Sequence, residues 1–579
     1  MRLIDKRTCP IRVSIGVCGI CLNVQLAAFI QIYIYRRAEG VHRGYRCACV
    51  YPDAPNSDLI QDAMGNFGPW HLLIAISVSL VKFPVAWNQL SIVFLAPPVE
   101  FNCIEPISST NSSMSCKVDV TGHGNWQKCT KFEYDRTIFR ESIITQWDLV
   151  CDKNQLANVA QTVTMFGILM GNMIFGIIAD RMGRKIPLII AVLIQSVTGL
   201  ASAFAPWYEL FLALKFLAAL ATGGTMLISF VLLMEIVGVN WRSNCSVLFH
   251  VPFMLGHLLN PAIAYLTRTW SGFQIAVSVP PILLLSYYWI IPESPRWLLA
   301  VGRVEEAEAV LTKAAKRNGI SLDKVKAAIG WHENHKAERD FKHGEKKYNI
   351  THLFRTPNLR TKTICVCFNW LACGICFFGL AQYVGYLSGD IFINVAASAA
   401  MELPGTVLVL FLISRVSRLK ILMAGNLISS LSVLLLIFIT DPTFRVCLAT
   451  LGLVGMSISF PTVYLYSSEA FPTVVRNVGI GLASLCARTG SMVAPYIATM
   501  NAVQPWLPPV LFSVCPLIGV CLCFLLPETM NCELPETIED GENFGNLDLV
   551  SEKNPLLSRA IRREASKAKY GSKNNGQGL

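Results

Sequence analysis

Charge is what this sequence has least of. Asp, Glu, Lys and Arg make up 15% of its 579 residues, against roughly a quarter in soluble domains. The chain therefore cannot cover the surfaces of the three or four globular units that its length would otherwise suggest. Disorder is excluded by hydrophobic residues at 53%. The 20 cysteines fall far below the roughly 8–10% density of a secreted disulfide scaffold. The chain also lacks a metal-ligand spacing of Cys and His, a glycine-rich phosphate loop and a Walker pattern. That argues against an enzyme and an ATP-driven pump, and no cofactor is expected. Lys and Arg exceed Asp and Glu by 49 to 38, a net charge of +11. No basic stretch interleaved with aromatics accompanies that excess, so no nucleic-acid partner is expected. A polytopic membrane protein remains, with lipid around it and its basic residues gathered in cytoplasmic loops.

What the chain has in quantity is apolar stretches of about 20 residues, the length a helix needs to cross the hydrocarbon. They fall at 70–95, 156–178, 186–205, 209–233, 246–267, 273–291, 364–386, 392–413, 420–440, 443–466, 478–500 and 506–527. These twelve make an all-α membrane protein with 12 transmembrane helices. Residues 96–155 hold Cys103, Cys116, Cys129 and Cys151 and the glycosylation acceptor Asn111-Ser112-Ser113. That segment belongs outside, where the four thiols can pair in any of three combinations. Residues 292–362 carry 15 Lys/Arg against 9 Asp/Glu and a helical stretch from Val304 to Ala328, and belong in the cytoplasm.

The expected organisation is an N-terminal extension (1–60), a first six-helix bundle (61–291) that includes the outer loop, the cytoplasmic loop (292–362), a second bundle (363–527) and a cytoplasmic tail (528–579). In the extension, the apolar run from Ile11 to Tyr35 has basic residues on both flanks. It stays open between an extra span, a signal anchor and a stretch foreign to the native protein, and is too long for a cleaved signal peptide. In the tail, Glu552-Lys553-Asn554-Pro555-Leu556-Leu557 reads as an acidic dileucine address for a sorting adaptor. It sets endosomal or lysosomal residence beside the plasma membrane.

Charged landmarks repeat along the chain. Arg181 and Arg184, after the second span, find Arg415 and Arg418 after the eighth, each 234 positions on. Glu235 and Arg242 recur as Glu469 and Arg476 at the same offset, and Pro292-Glu293-Ser294 as Pro527-Glu528-Thr529 at 235. Solvation of helix ends would put charges there but would not impose a common offset. A six-span unit repeated in parallel encloses one midplane site and tilts about it. Asp180, Arg181, Arg184, Glu235, Arg242, Glu469 and Arg476, all at expected cytoplasmic ends, are then candidate latches of the inner gate.

The run Gly176-Ile177-Ile178-Ala179-Asp180-Arg181-Met182-Gly183-Arg184-Lys185 resembles the loop signature of the major facilitator superfamily. Within it, four motifs resemble the organic cation, organic anion and carnitine transporter family: Gln146-Trp147-Asp148-Leu149-Val150-Cys151-Asp152, Pro292-Glu293-Ser294-Pro295-Arg296-Trp297-Leu298, Glu402-Leu403-Pro404 and Tyr466-Ser467-Ser468-Glu469-Ala470-Phe471-Pro472-Thr473. The match runs from about residue 56 to 540. The resemblance implies the major facilitator fold, 12 transmembrane helices in two pseudo-repeated six-helix bundles, and transport of small organic ions. Ser414 and Ser417 stand where the family usually has Asp and Gly, which weakens the second latch. Lys215 stands where an Arg is common, and Phe377-Phe378-Gly379 replaces an aromatic pair that often includes Tyr.

Charges that serve one solute in one cavity need no counterpart in the other half. Lys82, Lys215, Glu402 and Arg488 lie deep in spans, and the offset leads to no charged span residue: Lys215 maps to Ala449, Glu402 to Ile168 and Arg488 to Met254. A charge at a helix centre costs at least about 2.5–3.5 kcal/mol, so each is a functional candidate. Arg488 leads, because it keeps its proton and its fork matches a carboxylate. The resemblance makes this position acidic in cation carriers and Arg in anion and carnitine carriers.

Three basic groups and one acid predict a positive cavity with one negative spot. That suits small carboxylates, or zwitterions such as carnitine- or β-alanine-like solutes whose amine meets Glu402. Glu402 could instead neutralise one of the cations, or couple transport to an ion gradient. Trp370, Phe377, Phe378, Phe460 and Tyr464 fall where the resemblance puts aromatic walls, which suit a hydrophobic body or a quaternary amine. Gln382 and Ser484 add polar contacts. An organic cation transporter is the runner-up, and a transporter-like receptor that binds solute without moving it is the alternative of another class.

Overall fold

The computed structural model describes residues 59–334 and 349–544, apart from 66, 106–115, 120–125, 503, 531, 533, 534 and 536. Asn111, residues 11–35 and the segment 552–557 lie outside the described residues. Twelve helical segments follow one another where the apolar stretches fall. They are α1 (Pro69–Leu90), α2 (Asn154–Met182), α3 (Lys185–Ser202), α4 (Tyr208–Ile236), α5 (Asn244–Thr267), α6 (Trp270–Ile290), α7 (Pro357–Tyr383), α8 (Ile391–Leu412), α9 (Arg418–Leu435), α10 (Pro442–Ala470), α11 (Arg476–Thr499) and α12 (Leu507–Cys523). Ten are long and apolar enough to cross a membrane. The other two are α11, which carries Arg476 and Arg488, and the 17-residue α12.

Local chemistry sets the ends and breaks of these helices. Asp390 and Asp441 cap α8 and α10 by accepting the amides of Phe392 and Ile393 and of Thr443 and Phe444. In α6, Pro280 and Pro281 remove two amide donors, and the helix tightens into a 3-10 stretch at Pro280–Ser286. Helix α1 breaks at Val81 and again at Ser91, and is continued by Ile92–Leu95.

The first six helices pack on one another, as do the last six. In the first bundle α1 lies against α5 and α2 and α3 against α4; in the second α7 lies against α11 and α8 and α9 against α10. Gly256 on α5 and Gly490 on α11 sit at matching places in the repeat. A Cβ there would lie 2.9 Å from the Ala86 Cβ and 2.5 Å from the Leu371 carbonyl oxygen, respectively. Only glycine allows these helices to approach so closely. The bundles meet along α5 with α8 and α2 with α11.

Between α1 and α2 the chain forms two antiparallel ladders, β1 (Phe101–Glu105) with β4 (Lys131–Tyr134) and β2 (Lys117–Asp119) with β3 (Trp126–Lys128). Disulfides join Cys103 to Cys129 and Cys116 to Cys151, one of the three pairings open to the sequence. At the opposite end, helices Val304–Asn318 and Leu322–Asn334 follow α6. The first has Glu305 and Glu306 in its first turn and Lys316 and Arg317 in its last, both favourable to the helix dipole. Its Asn318 bonds the Met64 carbonyl at 2.8 Å and the Trp70 amide at 3.0 Å, fastening the loop to α1. These two ends are the hairpin side and the loop side below.

Candidate functional site

The repeated charges form two matching clusters on the loop side. In the first bundle Arg184 makes a bidentate pair with Glu235 (2.8 Å), bonds the Ala179 carbonyl (2.7 Å) and reaches Asp180 at 3.1 Å. The Glu293 carboxylate accepts the backbone N–H of Arg184 and Lys185 at the start of α3. In the second bundle Arg418 lies within ion-pair distance of Glu469 (3.3 Å) and bonds the Ile413 carbonyl (2.8 Å). Glu528 there accepts the Arg418 amide and the Ser417 hydroxyl. Arg242 and Arg476 likewise bond the carbonyls of Val237 and Phe471, both at 3.2 Å.

The charges were expected to hold the inner gate, yet each of these pairs closes within one bundle. They brace helix ends inside a half. Arg181 is exposed. Ser414 removes the counterpart of Asp180, but Ser417 adds a hydroxyl bond that Gly183 cannot make.

Across the bundles, the hairpin side is closed by rings and side-chain bonds. Phe392 of α8 stacks on Phe94 (6.0 Å), and Tyr265, Phe139 and the Arg268 guanidinium pack around it. Asn158 on α2 donates to Thr499 on α11 at 2.9 Å. Toward the loop side, Phe230 on α4 meets Tyr464 on α10 edge to face at 5.3 Å.

Between these closures lie most of the expected site residues. Arg488 on α11 is 7% exposed. It reaches into the first bundle, with a long 3.5 Å contact to Gln89 Oε1 on α1 and the Met226 sulfur on α4 at 3.4 Å, while the Phe378 ring centre on α7 of its own bundle lies 5.9 Å away. Lys82 on α1, also buried, stands over the Phe249 ring at 4.4 Å and is an electrostatic neighbour of Arg488. Ser484 lies half-buried one turn before Arg488.

The aromatic residues come together as a wall. Tyr464, Trp370, Phe460 and Phe377 contact one another in series at 5.4, 5.9 and 6.0 Å, and Phe377 touches both Phe378 and Phe253 of α5. Trp370 donates its indole N–H to Ser467, and Gln382 bonds Tyr386.

Two charges stand elsewhere. Lys215 bonds Ser91 (3.0 Å) and Gln274 (3.5 Å) inside the first bundle, near the hairpin side. Glu402, expected to offset a cation or meet an amine, is fully buried and paired with His257 of α5 at 2.9 Å. Sequence reasoning missed His257 because the search for unrepeated charges took only Lys, Arg, Asp and Glu. A histidine within a span qualifies on the same grounds. Gln89 and Met226 carried no sequence signal of their own, although Met226 is the repeat counterpart of Phe460. Among the described residues no group of His, Cys, Asp and Glu could hold a metal ion.

A family model described as "Sugar (and other) transporter" matches residues 110–540. The chain is 32% identical over 513 residues to an organic cation transporter protein of Drosophila melanogaster, covering 83% of this chain and 94% of that one. It is 30% identical over 537 residues to organic anion transporter 3 of Oryctolagus cuniculus, covering 87% and 97%. This chain belongs to the organic ion transporter family of the major facilitator superfamily.

The xylose transporter of E. coli in an inward-open conformation shares the fold, with a TM-score of 0.59 at 16% identity over 82% of this chain and 98% of that one. A major facilitator is a multi-pass membrane transporter and not an enzyme, and an organic ion transporter takes small organic ions. The Arg488 cluster and the aromatic wall thus lie between the two halves of a carrier.

Proposed function

We propose that this chain is an alternating-access secondary carrier, by uniport or exchange, of small organic ions bearing a carboxylate, either anions or zwitterions of the carnitine or β-alanine type. One observation carries the reading. Arg488 and Lys82 are neighbours, both buried between the halves, and among the described residues no carboxylate lies within ion-pair distance of either. Two uncompensated cations in a dry site are costly until an anion joins them, and the guanidinium fork offers a carboxylate two bonds. The aromatic wall beside them accepts the solute's apolar body or, by cation–π attraction, its quaternary amine. Relatives named for cations and for anions are about equally similar, so the choice rests on these charges. In this reading the loop-side charges keep each half rigid as it tilts, and the plasma membrane is the working location.

The test is uptake of radiolabelled β-alanine, carnitine, benzoate and tetraethylammonium by expressing cells. Carboxylates accumulate, and Arg488→Ala lowers their apparent affinity at least about 30-fold, the loss of a buried charge partner, with the protein still at the membrane. Accumulation of tetraethylammonium without any carboxylate overturns the reading. The organic cation alternative rests on the aromatic wall. Binding without efflux from preloaded vesicles would mark a receptor.

A further inference from the structure

We propose that the contact between His257 and Glu402 is a proton-binding site that couples solute movement to proton movement. It rests on the carrier fold and not on which solute binds at Arg488, and it excludes simple uniport among the modes named above. The two residues belong to different bundles, His257 to α5 and Glu402 to α8, with Nδ1 and Oε1 2.9 Å apart and side chains 2% and 0% exposed. The other carboxylate oxygen, Oε2, is buried without a hydrogen-bond partner. Nearby on the same helices, Asn260 is fully buried with neither its amide nitrogen nor its oxygen bonded, and the Thr406 hydroxyl is buried and unbonded too. This stretch of the interface therefore has unused capacity for a proton and its hydrogen bonds.

Few other charges act here. Of the elements packed on α5 and α8, α1 brings Lys82, which is an electrostatic neighbour of His250 and Arg488. Helix α6 has only Tyr287 and Tyr288, near its loop-side end. Helix α10 has Arg445 and Cys447 near one end and Tyr464, Tyr466 and Glu469 near the other. The turn Val384–Tyr386 brings Tyr386, and the helix Val239–Leu248, leading into α5, brings Arg242 and Cys245.

Proton counting gives the direction. Counting the ring's own N–H, two protons leave the pair neutral, and the buried interface favours the form without separated charges, imidazole hydrogen-bonded to carboxylic acid between Nδ1 and Oε1. With one proton it is imidazole and carboxylate, and a full negative charge is left in a dry interface. Burying that charge is unfavourable, and water relieves it once the bundles part. A proton taken from water on one side thus favours closure of α5 on α8. Its release to water favours separation.

The decisive measurement is a pH-titrated infrared spectrum of the purified full chain. A carbonyl-stretch band of a protonated buried carboxyl rises and falls reversibly with pH, is absent from Glu402→Gln, and changes its pH response in His257→Leu. A second arm uses proteoliposomes with β-alanine as probe, at zero membrane potential. An imposed pH gradient speeds wild-type uptake, whereas His257→Gln, which keeps volume and polarity and elutes as the wild type does in size exclusion, takes up β-alanine without responding to the gradient. A band that survives Glu402→Gln, or no band titrating at all, overturns the proposal, as does a gradient response retained in His257→Gln. If wild type accumulates neither β-alanine nor carnitine nor benzoate, the substrate reading above fails, while the infrared arm still decides this one.

Discussion

Phe230 and Tyr464 occupy the same position in the two halves of the chain, 234 residues apart, and meet edge to face with ring centres 5.3 Å apart. A contact between repeat counterparts lies on the axis that relates the halves. A tilt that opens the loop side therefore pulls this pair apart, which makes it the natural seal on that side.

An edge-to-face pair contributes about 0.5–1.5 kcal/mol beyond its buried area. Tyr464→Ala should therefore shift the balance toward the form open on the loop side by roughly two- to tenfold. The rate at which a thiol reagent modifies a cysteine introduced at Ser484 reports that shift. Cysteines at both 230 and 464, cross-linked, should stop transport altogether, with either single substitution remaining active.

The two loop-side clusters are matched in position and unequal in strength. Arg184 has a bidentate partner in Glu235 at 2.8 Å and a second acid in Asp180, whereas among the described residues Arg418 has Glu469 alone, through longer contacts of 3.3 and 3.4 Å. Arg184→Ala should cost about 1.5–3 kcal/mol of stability, the worth of charged hydrogen bonds. Arg418→Ala should cost less. Thermal unfolding of the two purified variants compares them directly, and an equal loss would contradict the asymmetry.

Each disulfide should stabilise the outer loop by about 3–4 kcal/mol in the chain-entropy view, since they close segments of 26 and 35 residues. Of the two, Cys116–Cys151 is the one that ties the loop to the start of α2. Replacing that pair with serine should make the loop sensitive to protease while the helical bundles keep their unfolding temperature. Peptide mapping without reduction should recover Cys103 with Cys129 and Cys116 with Cys151.

Glu542 follows the last span and accepts the backbone N–H of Asn358 and Leu359, each at 2.9 Å, so the tail caps the start of α7. Burial pushes its carboxyl up, but these amides together with nearby Lys362 hold it below the usual carboxylate range. The contribution is therefore complete above the ordinary carboxylate value and is lost as pH falls through the lowered one. At neutral pH, Glu542→Gln should speed amide exchange across 358–362 about two- to tenfold, the worth of one helix-end cap.

The spans were legible because length and hydropathy suffice to mark them, and the repeat because charges gather at helix ends where bilayer and water meet. Arg488 and Lys82 were legible as charges without counterparts. What the sequence could not give was facing. That Glu402 turns to His257 instead of to a cation depends on which side of α8 meets α5, a property of how the bundles dock. That Arg184 pairs with Glu235 depends on how α3 and α4, which fill most of the 51 positions between them, pack side by side. Tyr464 was legible as a wall residue, but its pairing with Phe230 was not, because the repeat shows itself in charged positions and aromatic residues at matching places give no warning.

Gly256 and Gly490 leave no slack between the helices they join. Neither half can bulge around a larger passenger, so room for one arises only by widening the gap between the halves. Steric tolerance in this carrier is then a matter of how far that gap spreads, and enlarging side chains along it would narrow the range of passengers long before any helix needed to bend.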